Sequence, residues 1–187
     1  MESLNLHNVP DLKDIYIFEG IKLRPLDQSD TERILEILAS DRSIRDKVTV
    51  ASRLYAPEDV KTEIERYHKD ANLIRYALLK QNSPIGLVSL WRDDGFSGTP
   101  PQLDDYGFGY FLDPNERGKG FITRAVQTLM DTVTKKFHVN QFVAFCEDSN
   151  SDSIAVLTKL GFERTNILFR EPYNGWIERK YIKPVIQ

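Results

Sequence analysis

Residues 106–133 constrain the fold more than any other part of the chain. Tyr106-Gly107-Phe108-Gly109-Tyr110-Phe111-Leu112 is an aromatic run of strand length, stopped by Asp113-Pro114. After a polar stretch containing Gly118 and Gly120, the apolar residues Phe121, Ile122, Ala125, Val126, Leu129, Met130 and Val133 recur at helical spacing. A strand, a glycine turn and a long amphipathic helix in that order require a sheet with a helix packed on one face.

The flanks supply more of both elements. Residues 1–13 are polar with one proline and are expected to form a tail, leaving residues 14–187 as one domain. Ile15-Tyr16-Ile17-Phe18 and Ile21-Lys22-Leu23-Arg24 read as extended chain interrupted at Glu19-Gly20 and closed by Pro25. Asp27, Ser29 and Asp30 are N-cap candidates for a helix carrying Ile34, Leu35, Ile37 and Leu38. Residues 42–56 have no clear period and read as a loop or a broken helix. Pro57-Glu58-Asp59 opens a second helix, with Val60, Ile64 and Tyr67 as its buried stripe. Tyr76-Ala77-Leu78-Leu79 and Ile85-Gly86-Leu87-Val88-Ser89-Leu90-Trp91 flank a turn at Gln81-Asn82-Ser83-Pro84 and predict an antiparallel pair. Residues 93–102, with Gly95, Gly98, Pro100 and Pro101, are a loop. Gln141-Phe142-Val143-Ala144-Phe145 is a short strand, and a helix over 151–160 stops at Gly161. Ile167-Leu168-Phe169 and Ile177-Glu178-Arg179-Lys180-Tyr181 are strands joined near Asn174-Gly175, a hairpin signal. Strands outnumber helices, so the expected class is α+β, a mixed and mostly antiparallel sheet flanked by helices.

Composition narrows the function. Of 187 residues, 41% are hydrophobic and 28% charged, the balance of a folded domain rather than a disordered one. No apolar run approaches the roughly 18 residues that span a bilayer. Met1-Glu2-Ser3-Leu4-Asn5-Leu6-His7 lacks the basic and apolar regions of a secretory leader. The single Cys146 excludes an internal disulfide and fits a reducing compartment, so a cytoplasmic location away from membranes is expected. With three scattered histidines and one cysteine, no metal centre is expected. A net charge of −3 leaves no basic footprint for nucleic acid.

The turn at Asp113-Pro114-Asn115-Glu116-Arg117-Gly118-Lys119-Gly120 carries the chemistry. A glycine turn feeding a helix exposes unpaired N–H groups at the positive end of the helix dipole. Arg117, Lys119 and Arg124 crowd that same end, where the dipole repels cations, and an anion there would resolve the conflict. The spacing fits neither a P-loop, since Gly120-Phe121 follows Lys119, nor a dinucleotide fingerprint, since position 123 is threonine. The residues alone leave two readings open, a tight turn with solvated cations or an anion site.

Asn115-Glu116-Arg117-Gly118-Lys119-Gly120 resembles the Gln/Arg-x-x-Gly-x-Gly/Ala acyl-CoA loop of the GCN5-related N-acetyltransferase (GNAT) family. Asn150-Ser151-Asp152-Ser153, followed by Ala155, Leu157, Lys159, Leu160, Gly161 and Phe162, resembles that family's second motif. Leu23-Arg24-Pro25-Leu26 and the Gly109-Tyr110 pair are similar to the ribosomal-protein N-terminal acetyltransferase branch, the RimJ/RimL-like one. Within about residues 20–183 the resemblance implies a GNAT acyl-CoA N-acyltransferase fold and acetyl transfer from acetyl-CoA to a primary amine, by direct attack in a ternary complex. It places the coenzyme pyrophosphate on the N–H groups of residues 117–121, with Asn115, Arg117, Gly118, Lys119, Gly120 and Phe121 as its cradle. The pantetheine would lie between the strand ending at Leu112 and the strand from Phe142, with a backbone N–H of Phe111 or Leu112 polarising the thioester carbonyl. Asn150 and Ser153 would touch the coenzyme.

Four departures matter. Asn115 replaces Gln or Arg, Arg124 and Gly107 stand where glutamates often occur, and Leu157 stands where many GNAT enzymes carry a proton-donating tyrosine. Ser153 is then the expected partner of the departing thiolate. Glu147, at the end of its strand, is the expected base, with Asp105 second. Cys146 is not expected to act as a nucleophile. The acceptor would be a protein N-terminal amine or a small amine, read by residues 42–56 and 93–102. Asp93, Asp94, Asp104 and Asp105 would suit a cationic one, and Trp91 and Trp176 would line it or fill the core. A homodimer stays open. The alternative is an acyl-CoA-binding sensor without turnover.

Overall fold

The longest apolar face in the sequence builds the centre of the molecule. In the computed structural model, which describes residues 6–9, 12–18, 20–92, 105–171 and 174–185, all seven stripe residues of the helix α4 (Phe121–Lys136) are buried against one sheet. The expectations for the 93–102 loop and for Asp93, Asp94 and Asp104 fall outside the described residues.

The sheet has eight strands: β1 (Ile15–Phe18), β2 (Ile21–Pro25), β3 (Leu73–Lys80), β4 (Ser83–Arg92), β5 (Asp105–Leu112), β6 (Gln141–Cys146), β7 (Glu163–Arg170) and β8 (Ile177–Pro184). Their spatial order is β1-β2-β3-β4-β5-β6-β8-β7. Every neighbouring pair is antiparallel except β5 and β6. That exception follows from connectivity, because a helix links these two strands and a helical crossover returns the chain in the same direction. The α+β expectation holds.

Two cores sandwich the sheet. On one face α4 and α5 (Ser151–Lys159) cover Tyr106, Phe108 and Phe142; on the other, α1 (Thr31–Ser40), α2 (Arg42–Lys47) and α3 (Pro57–His68) cover Ala77, Leu79 and Leu87. Leu6 and Leu12, within the stretch expected as a tail, are buried in the first core, and the Leu6 N–H donates to the Ala71 carbonyl at 2.9 Å. The aperiodic stretch 42–56 holds the short helix α2, whose first turn is capped by the Asp41 side chain accepting from the Ser43 N–H (2.9 Å), and a 3-10 turn at Ala51–Arg53. Pieces this short show no period. The β3–β4 hairpin turns on Gln81 and Asn82, both at positive φ, which matches the twist of the flanking strands.

Strand β3 begins at Leu73, three residues before the apolar run that announces it, and so takes a cation into the interior. Arg75 is buried, donating to Glu63 of α3 (2.7 Å) and to the Ser89 hydroxyl of β4 (2.6 Å).

Candidate active site

The parallel seam is short. Strands β5 and β6 pair only at Asp105↔Gln141, Tyr106↔Phe142 and Gly107↔Val143, and then part. On its other edge β5 stays paired with β4 as far as Leu112, and the Asp113 N–H extends that ladder by donating to the Ile85 carbonyl (2.7 Å). Alternate residues of an antiparallel ladder turn their N–H groups to opposite sides. Gly109 and Phe111 therefore face β4, whereas Tyr110 and Leu112 present backbone groups to the gap. Of the two candidates for polarising a thioester carbonyl, Leu112 faces the gap.

The loop after β5 is stapled from three sides. Asp113 is buried, accepts from the Asn115 N–H (2.9 Å) and is paired with Arg33 of α1 (2.5 Å). Glu116 receives both Lys80 (3.0 Å) and Lys119 (2.9 Å). Arg117 reaches Asp41 at the start of α2 (2.8 Å), and the Arg124 guanidinium lies over the Phe18 ring, 4.8 Å from its centroid. The basic side chains expected to await an anion thus have internal partners, and the loop's shape is fixed by them. Gly118 and Gly120 both sit at φ +76°, and no atom lies within 4 Å of where either Cβ would be. Gly120 is the N-cap of α4, and no side chain caps that helix. Backbone N–H groups at the helix start take no side-chain cap, and the two glycines leave room beside them, an arrangement suited to a phosphate.

Where β5 and β6 diverge, a cavity of about 230 Å³ opens. Gly109 and Tyr110 of β5, Ala144 and Cys146 of β6, and Asn150, Ser153 and Leu157 around α5 line it. The Asn150 side chain caps α5 by accepting from the Ser153 N–H (3.3 Å), which fixes Ser153 in the first turn. Glu178 of β8 and Glu171, both buried, line the same cavity. Burial, reinforced by the charges of Glu171 and Glu147, pushes the Glu178 carboxyl up to about 7. Burial likewise pushes the Cys146 thiol up to about 11, so it is a protonated, inert thiol near neutrality.

Glu147 and Asp105, the two expected bases, do not line this cavity. Glu147 is half-buried beyond the end of β6, accepts from the Ser149 hydroxyl (3.1 Å), and is not among the cavity's lining residues. Asp105 is buried at the far end of the seam, accepting from the Gln141 side-chain amide (2.6 Å). Glu178 escaped the sequence reading because nothing in Ile177-Glu178-Arg179 marks which residue faces inward. The structure inverts the hydropathy there, with Ile177 exposed and Glu178 8% exposed. The cavity is also lined by Trp91 and by Lys47, Arg53, Arg66 and Arg92. Trp91 also explains the glycine at 107, since a Cβ there would sit 2.3 Å from its ring.

The sequence profile of the acetyltransferase (GNAT) domain matches residues 21–163. The chain belongs to the GNAT acetyltransferase family. It is similar to the probable N-acetyltransferase YjcK of Bacillus subtilis, 28% identical over 155 residues that cover 79% of this chain and 82% of the relative. It is also similar to the ribosomal-protein-serine acetyltransferase of Escherichia coli, 20% identical with 79% and 82% covered. Among solved structures, the RimL ribosomal L7/L12 alpha-N-protein acetyltransferase in complex with coenzyme A superposes with a TM-score of 0.76 at 17% identity, covering 92% of this chain and 98% of that one. The microcin C7 self-immunity acetyltransferase MccE, solved with acetyl-CoA and AMP, gives 0.75 at 18%, covering 90% and 94%. This GNAT enzyme is an N-acetyltransferase that uses acetyl-CoA as its acyl donor. No helix among the described residues is long and apolar enough to cross a membrane, and none of their His, Cys, Asp and Glu side chains cluster as a metal site would require.

Proposed function

We propose that the chain acetylates a primary amine, a protein N-terminus or a small-molecule amine, by direct attack on acetyl-CoA held in the gap between β5 and β6. One observation carries this reading: a buried glutamate with its pKa near 7 lines the same cavity as Ser153, at the point where the two strands part. A general base is most effective when its pKa lies near the working pH. Glu178 takes the proton of the attacking amine, and an α-amine with pKa near 8 needs little help. The Leu112 N–H bonds the carbonyl oxygen as negative charge gathers on it. Ser153 faces the departing thiolate. The N–H groups of residues 117–121 hold the pyrophosphate, with Asn115, Arg117 and Lys119 shaping the turn, and Asn150 fixes the start of α5.

Lys47, Arg53, Arg66 and Arg92 line the same cavity, Arg66 while paired with Glu63 (2.8 Å), and this concentration of positive charge supports an acceptor that carries a carboxylate or phosphate near its amine. The buried thiol of Cys146 supports a reducing, cytoplasmic setting.

Release of coenzyme A is to be followed with free and N-blocked peptides, acidic and neutral at the second residue, and with small amines with and without phosphate. Turnover is expected only with free amines, and fastest with anionic ones. Glu178→Gln should lower kcat/KM by about 10²-fold and remove the inflection near pH 7. An unchanged pH profile in that variant would refute the assignment of the base.

A further inference from the structure

A hydroxyl in the cavity remains without a role. Tyr110 projects from β5 into the cavity that Ser153 and Leu157 line from α5. Its phenol oxygen is buried with no hydrogen bond of good geometry, and the hydroxyl beside it is that of Ser153. A buried hydroxyl whose one neighbouring group is poorly aligned is destabilising, and phenylalanine would fill the same volume without that loss. Tyr181, whose hydroxyl lies beside Arg164 and Cys146, is not among the residues lining the cavity. The oxygen of Tyr110 therefore sits where a group present only during turnover can use it. Leu157, one helical turn beyond Ser153, brings no polar atom to the same wall.

We propose that Tyr110 is the proton source for the leaving thiolate, acting through Ser153. This rests on the acetyl-transfer reading above. When the carbon–sulfur bond breaks, sulfur keeps the electron pair and takes the proton of the Ser153 Oγ. The Oγ is restored by the phenolic proton of Tyr110. The phenolate left behind is reprotonated through solvent, by the proton that Glu178 removed from the amine, so no proton is gained or lost over the cycle. A strand tyrosine and a helix serine thus share a task that Leu157 cannot perform. Burial suits the donor, since it keeps the phenol protonated, and the neighbouring Cys146 indicates that the same surroundings make a thiolate basic.

The test is the cycle of Tyr110→Phe, Ser153→Ala and the double variant, with wild-type turnover and calorimetric binding of coenzyme A measured first. Tyr110→Phe should unfold at an equal or higher denaturant midpoint, since it deletes a buried atom with no well-aligned hydrogen bond. Its kcat should fall about 10²-fold, with KM for acetyl-CoA within about twofold. The double variant should be no slower than the slower single one, because either break stops the same relay. An acetyl thioester of a much more acidic thiol, which leaves without a proton, should restore Tyr110→Phe to within about threefold of wild type. Adding Leu157→Tyr to Tyr110→Phe should recover at least tenfold in kcat, by bringing a phenol from the helix. Multiplying effects in the double variant, or a Tyr110→Phe loss that persists with the acidic thiol, would overturn the relay and leave the acetyl-transfer reading standing. A wild-type protein that binds coenzyme A but turns over no amine would overturn that reading and the relay together.

Discussion

Replacing Glu178 by glutamine should make the protein more stable and less active at once, with the stability gain growing between about pH 4.5 and 7 and level above that. In the folded chain the carboxyl is held at about 7 instead of its ordinary 4.5, mainly by burial and then by the charges of Glu171 and Glu147. The native state therefore binds a proton more tightly than the unfolded one. Stability is highest below about pH 4.5, where the group is protonated in both states, and falls as pH rises through about 7, where the native group must ionise. At 1.36 kcal/mol per pKa unit the wild type is about 3 kcal/mol less stable at pH 8 than at pH 4.5 on this account alone. Glutamine has the same shape and no charge to desolvate. The variant should match wild type near pH 4 and exceed it by about 1–3 kcal/mol at pH 8, or roughly 2–12 °C in Tm for a chain of this size. Urea unfolding followed by tryptophan fluorescence at the two pH values measures this, beside acetyl-CoA turnover at pH 8. A stability difference of the same sign and size at both pH values would refute the reasoning, because only ionisation separates the two conditions.

Gly118→Glu should raise the Kd for coenzyme A at least 10²-fold by calorimetry while the fold persists; the residue's φ of +76° costs an L-amino acid about 1–2 kcal/mol, and its side chain meets no protein atom at Cβ. Gly107→Ala should lower stability by about 1–3 kcal/mol and shift the tryptophan emission, since its methyl lands on the Trp91 ring. Glu63→Gln leaves the buried Arg75 charge uncompensated and should cost about 3–5 kcal/mol in urea unfolding, most of it recovered when Arg75→Met is added.

The elements that were legible in the sequence are those whose burial follows a period. The α4 stripe, the Val60, Ile64 and Tyr67 stripe of α3, and the stop of α5 at Gly161 were all readable, since one face of a helix or one positive-φ position is a local property. Arg75 was not, because a charge in a strand pattern reads as its end until its partner Glu63, twelve residues earlier, is known to lie across from it. Glu178 and Tyr110 stayed obscure for a related reason. Which way a strand residue faces is local, but what it faces depends on β6 leaving β5 after three pairs, and no residue in either strand records that parting. The expectation of Glu147 as base came from its place at a strand end; the structure leaves that residue half-buried and outside the cavity lining, while Glu178 of β8 lines the cavity.

The brevity of the β5–β6 seam has a mechanical consequence. Strands β6, β8 and β7 hang from the rest of the sheet by three residue pairs and by the contacts of the Phe108 ring with Phe142, tilted, and with Phe162, edge to face. A molecule lying in the opening would bridge the two blocks as a rivet joins plates. Amide exchange in β6 and β8 should then slow on loading with the donor more than in β2 and β3, which are zipped along their whole length whether or not anything is bound.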